Sequence, residues 1–179
     1  MKKLICLILV LALAVSFAAC GGSGAAAGSI NNSQGEQNNS VNNEEKEEGY
    51  VFHHNGTAVV MNAEAAPILA ALGEPNSYTE EASCAFSGLD KTYFYGSFYL
   101  QTYPQGDKDY VYGVWFADDS VSTDEGVYVG MAKADVEKAY GADAFNGSNA
   151  YVLTKGKTTL TIIIKDDVVS SIQYDAVVE

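Results

Sequence analysis

The feature that most constrains the fold is a short helical pattern that occurs twice. The first copy is "NAEAAPILAALG" at residues 62–73, and the second is "GMAKADVEKAYG" at 130–141. When Gly73 is aligned with Gly141, the apolar positions of the two copies coincide at helical spacing. A glycine after the last apolar residue suits a left-handed C-terminal cap. Each predicted helix has only about two turns and would be unstable alone, so we expect it to pack against a sheet.

Strand-like segments surround each predicted helix. The segments "TAVVM" at 57–61 and "GVYVG" at 126–130 precede the helices, and alternating apolar runs follow them. Breaks near Gly96 and at "PQGDKD", "KGK" and "KDD" predict the turns of antiparallel hairpins. Alternation along the strands assigns one set of side chains to the core. The predicted inward residues are Phe98, Leu100, Val114, Phe116, Leu160, Ile162, Ile164, Ile172 and Tyr174.

The predicted fold class is therefore α+β. It consists of two tandem units, at about residues 50–117 and 118–179, and each unit is a short helix packed on an antiparallel β-meander. Together they form one predicted domain over residues 50–179, which is long enough to bury a core of its own.

The N-terminus has the pattern of a secretory signal. Two lysines follow Met1, residues 4–17 are almost wholly apolar, and the small residues Ala18 and Ala19 precede Cys20. The apolar core is too short to span a bilayer comfortably. A signal that ends in small residues and a cysteine resembles a bacterial lipoprotein signal. That resemblance implies a signal peptide at 1–20 with acylation of Cys20; an ordinary signal peptide or an uncleaved anchor is the alternative.

Residues 21–49 are rich in Gly, Asn, Ser and Glu and contain few large apolar side chains. Such a segment cannot bury enough surface to offset its ordering entropy, so we predict a disordered polar linker. A flexible chain of this length would have a root-mean-square reach of roughly 30 Å. A lipid at Cys20 would then hold the domain on the extracytoplasmic side of the cell membrane.

The charge balance is acidic, with a formal net charge of −13 at pH 7. Nucleic-acid binding needs a basic footprint, so the composition argues against a nucleic-acid partner. An acidic surface serves solubility, and it would also attract a basic partner.

Half of the aromatic residues lie between Tyr93 and Phe116. The strand register places Tyr99, Tyr103 and Trp115 on the face that points away from the helix. Exposed Tyr and Trp side chains are common in contact surfaces, which makes these three residues the candidate binding site. The alternative is that packing between the two units, or a loop, covers the rings.

The other reactive residue types indicate no cofactor, metal site or catalysis. Cys84 lies in the small apolar context "ASCAF" and is predicted to be a buried structural cysteine. His53 and His54 are adjacent on a predicted strand and would point to opposite faces, which disfavours a shared metal. Acidic pairs at turns could hold calcium, although turn chemistry explains them more simply. No nucleophile accompanied by a base stands out, so we expect a protein that is not an enzyme.

The segment "GVYVGMAKADVEKAYG" and the strands after it resemble two groups of secreted bacterial domains. One is the small lipoprotein of the outer-membrane assembly machinery, and the other is the β-lactamase-inhibitor protein with two tandem units. The whole chain looks most like Gram-positive lipoproteins of unknown function. Ala132 stands where the motif usually has a hydroxyl cap. Because these groups act by binding, the resemblance carries over no catalytic residue.

These observations predict a lipid-anchored, extracytoplasmic binding domain. Its partners would be the membrane, through the N-terminal lipid, and an envelope protein or cell-wall material. The alternatives are a structural or assembly factor of an envelope complex and a wall-acting hydrolase.

Overall fold

The computed structural model describes residues 49–145 and 149–178. Within these residues there are nine strands, two α-helices and one 3₁₀ turn at Ala142–Ala144. The strands are β1 Val51–His54, β2 Thr57–Val60, β3 Ser77–Ala82, β4 Leu89–Phe94, β5 Phe98–Gln105, β6 Lys108–Phe116, β7 Ala150–Lys155, β8 Thr158–Lys165 and β9 Val168–Ala176. The helices are α1 Ala65–Leu72 and α2 Lys133–Tyr140.

Seven of these strands form one continuous antiparallel sheet in the order β3-β4-β5-β6-β9-β8-β7. Strands β1 and β2 pair separately as a two-stranded hairpin. The sheet is continuous because β6 pairs with β9, with Gly113 opposite Asp175, Val114 opposite Tyr174 and Trp115 opposite Gln173.

The predicted fold class, an α+β arrangement of two tandem helix-on-meander units, is wrong. Strands dominate the described residues, and the two predicted meanders at 50–117 and 118–179 share a single sheet. The physical reason is that β6, the last strand of the first meander, offers its free edge to β9. An unpaired strand edge is costly to leave open, and this pairing satisfies it.

The prediction of two short helices, each followed by a glycine, is confirmed. Gly73 and Gly141 have φ angles of 81° and 84°, which favour glycine. The Gly73 N–H donates to the carbonyl of Leu69 at 3.1 Å, and the Gly141 N–H donates to the carbonyl of Glu137 at 2.9 Å. As expected from its side chain, Ala132 makes no capping hydrogen bond at the start of α2.

Both helices are joined to the sheet by backbone hydrogen bonds of the residues that precede them. Just before α1, Asn62 donates to the carbonyl of Val111, and Val111 donates to that of Ala63. Just before α2, Gly130 and Met131 make the equivalent pair of backbone bonds with Val169. These bonds connect helices of eight residues, too short to persist alone, to the central strands.

The core lies on the helix-bearing face of the sheet. The buried helix residues Ala65, Ile68 and Val136 belong to the same apolar cluster as the inward strand residues. All nine predicted inward residues are at most 8% exposed, which confirms the assigned faces. The hairpin turn after β8 is also confirmed: Asp166 and Asp167 both have positive φ, as a two-residue type I′ turn requires.

The predicted strand "GVYVG" at 126–130 is wrong. The segment forms two turns, with Gly126 at φ 82° and Gly130 at φ 94°. The Gly126 N–H donates to the carbonyl of Thr123, and the Met131 N–H donates to that of Tyr128. Val127 is fully buried, which explains why the apolar pattern resembled a strand.

Candidate functional site

One face of the seven-stranded sheet carries no described helix. The register aligns one residue from each of six neighbouring strands in a row across this face. We call this set the outward row: Phe94, Tyr99, Trp115, Gln173, Thr161 and Val152. Side chains alternate across a strand, so these residues point away from the core. The outward row therefore forms the accessible side of the sheet.

Two of the three predicted binding residues lie next to each other in the outward row. Tyr99 is 39% exposed and stacks on Phe94 with 4.5 Å between ring centroids. Trp115 is half-buried and pairs directly with Tyr99 across strands β5 and β6. These three aromatic side chains form one contiguous patch, which we call the aromatic patch.

Tyr103 differs from the prediction, because it is only 5% exposed. The β5–β6 register shifts between Gln101 and Thr102, where a bulge leaves Tyr112 without a paired residue. The ring of Phe86 covers Tyr103 at 4.8 Å, and the Tyr103 hydroxyl donates to Asn62 Oδ1 at 3.2 Å. Burial raises the pKa of the Tyr103 phenol. A loop thus covers this end of the outward face. For Tyr103 this agrees with the alternative given in the sequence analysis, in which a loop covers the aromatic rings.

That cover is the segment at residues 83–88, which we call the 83–88 loop. The Ser83 hydroxyl accepts hydrogen bonds from the N–H groups of Ala85 and Phe86, and the Ser83 N–H donates to the carbonyl of Gly88. Gly88 has a φ of 138°, and a Cβ there would lie 2.9 Å from the side chain of Pro104. Glycine therefore allows the loop to close tightly against β5.

Beneath the 83–88 loop lies a pocket with a volume of about 180 Å³. Aromatic side chains and uncharged or acidic polar groups line it, including Phe86, Asp90, Gln101, Thr102, Tyr103 and Tyr112. Asp90 and Thr102 are among the residues at this pocket, and their Oδ1 and Oγ1 atoms are buried with no hydrogen-bond partner within the described parts of the chain. The two side chains point to opposite faces of the sheet, because Thr102 pairs with Lys91, the residue that follows Asp90. Buried polar atoms are nearly always paired, so these two atoms are exceptions.

Cys84 lies at this pocket and is exposed, so the prediction of a buried structural cysteine is wrong. The small residues around it, read as a core context, belong to the 83–88 loop. Small side chains fit a tight turn as well as they fit a core, and the two cases look alike in sequence.

A carboxylate lies near the centre of the outward face. Asp175 faces Gly113 across strands β6 and β9 and accepts a hydrogen bond from Gln173 Nε2 at 2.6 Å. Burial raises the pKa of Asp175, and the bond from Gln173 opposes that change. A Cβ on Gly113 would lie 3.3 Å from Asp175 Oδ1, so the glycine leaves room for this carboxylate.

The remaining candidate residues do not converge on a site. His53 Nδ1 lies 2.9 Å from Asp124 Oδ1, whereas His54 packs against the ring of Phe98. Over residues 49–145 and 149–178, no group of three His, Cys, Asp or Glu side chains is placed to hold a metal ion. Nor does any helix in those ranges have the length and apolarity to cross a membrane. Cys20, the 1–20 signal and all of the predicted 21–49 linker except Gly49 lie outside the described residues. Gly49 forms an isolated antiparallel bridge with Gly156.

Sequence reasoning missed Asp90 and Thr102. One signal was available for Thr102, because it continues the alternation of the buried residues Phe98 and Leu100. A polar side chain in phase with a core-facing run is unusual enough to mark a possible site. Nothing in the local pattern singled out Asp90.

Comparisons with known proteins return one distant structural likeness. A 1.5 Å crystal structure of an extracellular protein containing an SCP domain, from Bacillus anthracis str. Ames, is similar to this chain with a TM-score of 0.41 and 16% sequence identity. The match covers 69% of this chain and 47% of that protein, so the chain spans about half the length of the protein that it matches. No protein-family model matches the chain, and no curated protein does.

Proposed function

We propose that this protein is a lipid-anchored extracytoplasmic binding domain and that the aromatic patch on the open face of the sheet is its contact surface. The single observation that carries the proposal is the adjacency of Phe94, Tyr99 and Trp115 on three neighbouring strands. Rigid strands hold the rings in place before a partner arrives, so little side-chain entropy is lost on contact.

The chemistry around the aromatic patch suits a partner without strong negative charge, because the carboxylate of Asp175 lies beside Gln173 on the same face. The other members of the outward row are the neutral residues Gln173, Thr161 and Val152, and Val152 is 60% exposed. Aromatic rings surrounded by hydroxyl and amide groups bind by burying area and by adaptable hydrogen bonds. An envelope protein or a neutral stretch of cell-wall polymer would present matching chemistry.

Anchoring follows from the N-terminal sequence. A lipid on Cys20 and a polar linker over residues 21–49 would confine the domain to a layer next to the membrane. Confinement raises the effective concentration of the domain near membrane-bound partners, so a contact of modest intrinsic affinity would suffice.

Replacing the proposed lipid-bearing cysteine tests the anchor. We expect Cys20→Ala to abolish incorporation of a fatty-acid label and to move the protein from the membrane to the soluble fraction of lysed cells. Cys84→Ala is the matched control, because it removes the exposed thiol and should leave labelling and membrane association unchanged. A Cys20→Ala protein that keeps its lipid label would show that the anchor is elsewhere.

The aromatic patch is tested by crosslinking and pull-down from intact cells. We expect a Tyr99→Ser/Trp115→Ser double variant to lower the recovery of the dominant partner at least about tenfold, because two central aromatic contacts are removed. The matched control is Tyr128→Ser, since Tyr128 is 40% exposed but lies outside the outward row.

Thermal unfolding of the three proteins separates lost contact from lost structure. The double variant should keep a single cooperative transition, with a midpoint several degrees below that of the parent because two partly buried aromatic side chains are lost. If the double variant recovers as much partner as the control does, the contact surface is not the aromatic patch. If no partner or wall polymer is recovered with the parent protein, the proposed binding function fails.

A further inference from the structure

A second row of residues lies beside the outward row on the open face of the sheet. Its members are two positions along the same six strands, and each pairs with the next across the sheet. Apart from one glycine, every member has a hydroxyl, amide or carboxylate group. We call this set the polar row: Thr92, Gln101, Gly113, Asp175, Thr159 and Thr154.

Direct contacts show that the two rows share one face. Gln173 of the outward row donates to Asp175 Oδ1 of the polar row at 2.6 Å. A Cβ on Gly113 would lie 3.3 Å from the same carboxylate oxygen. Every side chain in the two rows is half-buried or exposed, so a single ligand can reach both rows at once.

The two rows together form a long, narrow strip. Neighbouring strands are about 4.8 Å apart, so a row across six strands is about 24 Å long, and the two rows lie about 7 Å from each other. Gly113 leaves a gap in the polar row between Gln101 and Asp175. The strip therefore has the length for several units of an extended chain and space for a substituent near its centre.

The groups on this strip match the two kinds of surface on a sugar ring. A hexose ring has C–H groups on its faces and hydroxyl groups around its rim. The C–H groups carry a partial positive charge and pack on the negative face of an aromatic ring. The rim hydroxyls both donate and accept hydrogen bonds, as do the hydroxyl of Thr and the amide of Gln. The aromatic patch and the polar row beside it can therefore contact both surfaces of one sugar chain.

Charge selects among the possible extended polymers. Asp175 is the one charged residue of the two rows, and neither row contains a lysine. A polymer with phosphate or carboxylate groups would be repelled by a chain whose net charge is −13. A polycation would need carboxylates at repeated positions along the strip. An uncharged polymer meets neither obstacle, and its hydroxyl groups can donate to Asp175.

A protein partner fits the two rows less well. The core of a protein–protein interface is mainly apolar and is enriched in aromatic residues, Met and Arg. Here polar side chains adjoin the three rings of the aromatic patch, and Val152 is the single aliphatic member of either row. The composition of the strip therefore favours a polysaccharide over a protein.

We propose that the outward row and the polar row together bind an uncharged, extended polysaccharide of β-linked hexoses. Equatorial linkages make such a chain a straight ribbon, which can follow a row across the strands. Tyr99 and Trp115 stack on the faces of the sugar rings. The side chains that bond the hydroxyl or acetamido groups at the rim are Gln101, Gln173 and Asp175. This inference rests on the proposed binding role of the aromatic patch and adds the chemical class of its partner.

The test uses the fluorescence of Trp115, which is the single tryptophan of the chain and belongs to the proposed site. The full chain, in micelles of a detergent without a sugar head group, is titrated with four probes. Two are uncharged β-linked hexamers, cellohexaose and the hexamer of N-acetylglucosamine. The other two are a hyaluronan hexasaccharide, which is β-linked but anionic, and the monomer N-acetylglucosamine.

We expect at least one uncharged hexamer to change the emission of Trp115 saturably. It should bind at least about tenfold more tightly than the hyaluronan hexasaccharide or the monomer, because the first is repelled and the second reaches only part of the strip. Raising the salt concentration from about 0.15 M to about 0.5 M should change this affinity by less than about twofold, since no ion pair forms.

A variant of the polar row tests the hydrogen bonds. Gln101→Leu removes the amide at nearly constant size and should weaken binding of the uncharged hexamer about fivefold, as expected for one lost hydrogen bond. Gln105→Leu is the matched control, because it makes the same change at the exposed end of the same strand, outside both rows. It should leave the affinity unchanged. Thermal unfolding of the two variants checks that both are folded.

Four results would overturn the proposal. Equal affinity for the monomer would exclude an extended site, and equal affinity for the hyaluronan hexasaccharide would exclude selection by charge. Gln101→Leu binding as tightly as Gln105→Leu would exclude the polar row. If no hexamer binds, the glycan inference fails.

The pull-down separates this failure from failure of the proposed function. A protein partner that the Tyr99→Ser/Trp115→Ser double variant no longer captures would keep the binding role of the aromatic patch and replace the glycan with a protein. Loss of both the titration signal and the captured partner would remove the proposed function as well.

Discussion

Gly113→Val is expected to lower the free energy of unfolding by about 3 kcal/mol or more. A Cβ on Gly113 would lie 2.7 Å from the carbonyl oxygen of Tyr174, which is a backbone atom and cannot rotate away. Gly113 pairs with Asp175 in the only three-residue ladder that joins β6 to β9 within the described part of the sheet. The added side chain would therefore separate the two strands on which the continuity of the sheet depends.

Urea unfolding followed by far-ultraviolet circular dichroism measures this effect. Gly113→Ala places the same Cβ without the two methyl groups, so it should also be destabilising, but less so. The control is Thr154→Val, which places valine at an exposed position of β7 and should change the stability by no more than about 0.5 kcal/mol. A Gly113→Val protein as stable as this control would contradict the close approach of β6 and β9.

The junction at Gly113 also shows what the sequence can and cannot predict. Both helices, their terminal glycines and the inward faces of β5, β6, β8 and β9 follow from patterns within a few residues. The pairing of β6 with β9 joins residues far apart in the chain, and no local pattern specifies it. The local sequence feature that relates to this pairing is Gly113, because a glycine inside a strand often marks the close approach of another backbone.

The candidate site was likewise predictable where it depends on local alternation and unpredictable where it depends on long-range packing. Alternation along β5 correctly places Tyr99 outward, because the residues from Phe98 to Gln101 form a regular ladder with β6. Beyond Gln101 the bulge changes the register, and the 83–88 loop then covers Tyr103. The pocket follows from that cover, so a method that reads only periodicity could not have found it. Long-range loop packing is what the sequence pattern leaves out.

Tyr103 is buried and Tyr99 is exposed, so replacing Tyr103 should cause the second large loss of stability. We expect Tyr103→Ser to lower the free energy of unfolding by about 3–4 kcal/mol, in the range for loss of a buried aromatic side chain. The change removes the contact with Phe86 at 4.8 Å and leaves Asn62 Oδ1 without its donor. It would also release the 83–88 loop from its main apolar support, so Cys84 should be alkylated faster.

Tyr99→Ser is the matched control, because it makes the same chemical change four residues away on the same strand, at a side chain that is 39% exposed. It removes one stacking contact with Phe94 and should cost about 1 kcal/mol. Urea unfolding of both variants, with the alkylation rate of Cys84 as a local probe, gives the comparison. Equal losses of stability would mean that the loop does not bury Tyr103. A larger loss at Tyr103 would assign Tyr103 to structure, leaving Tyr99 and Trp115 as the residues free to meet a partner.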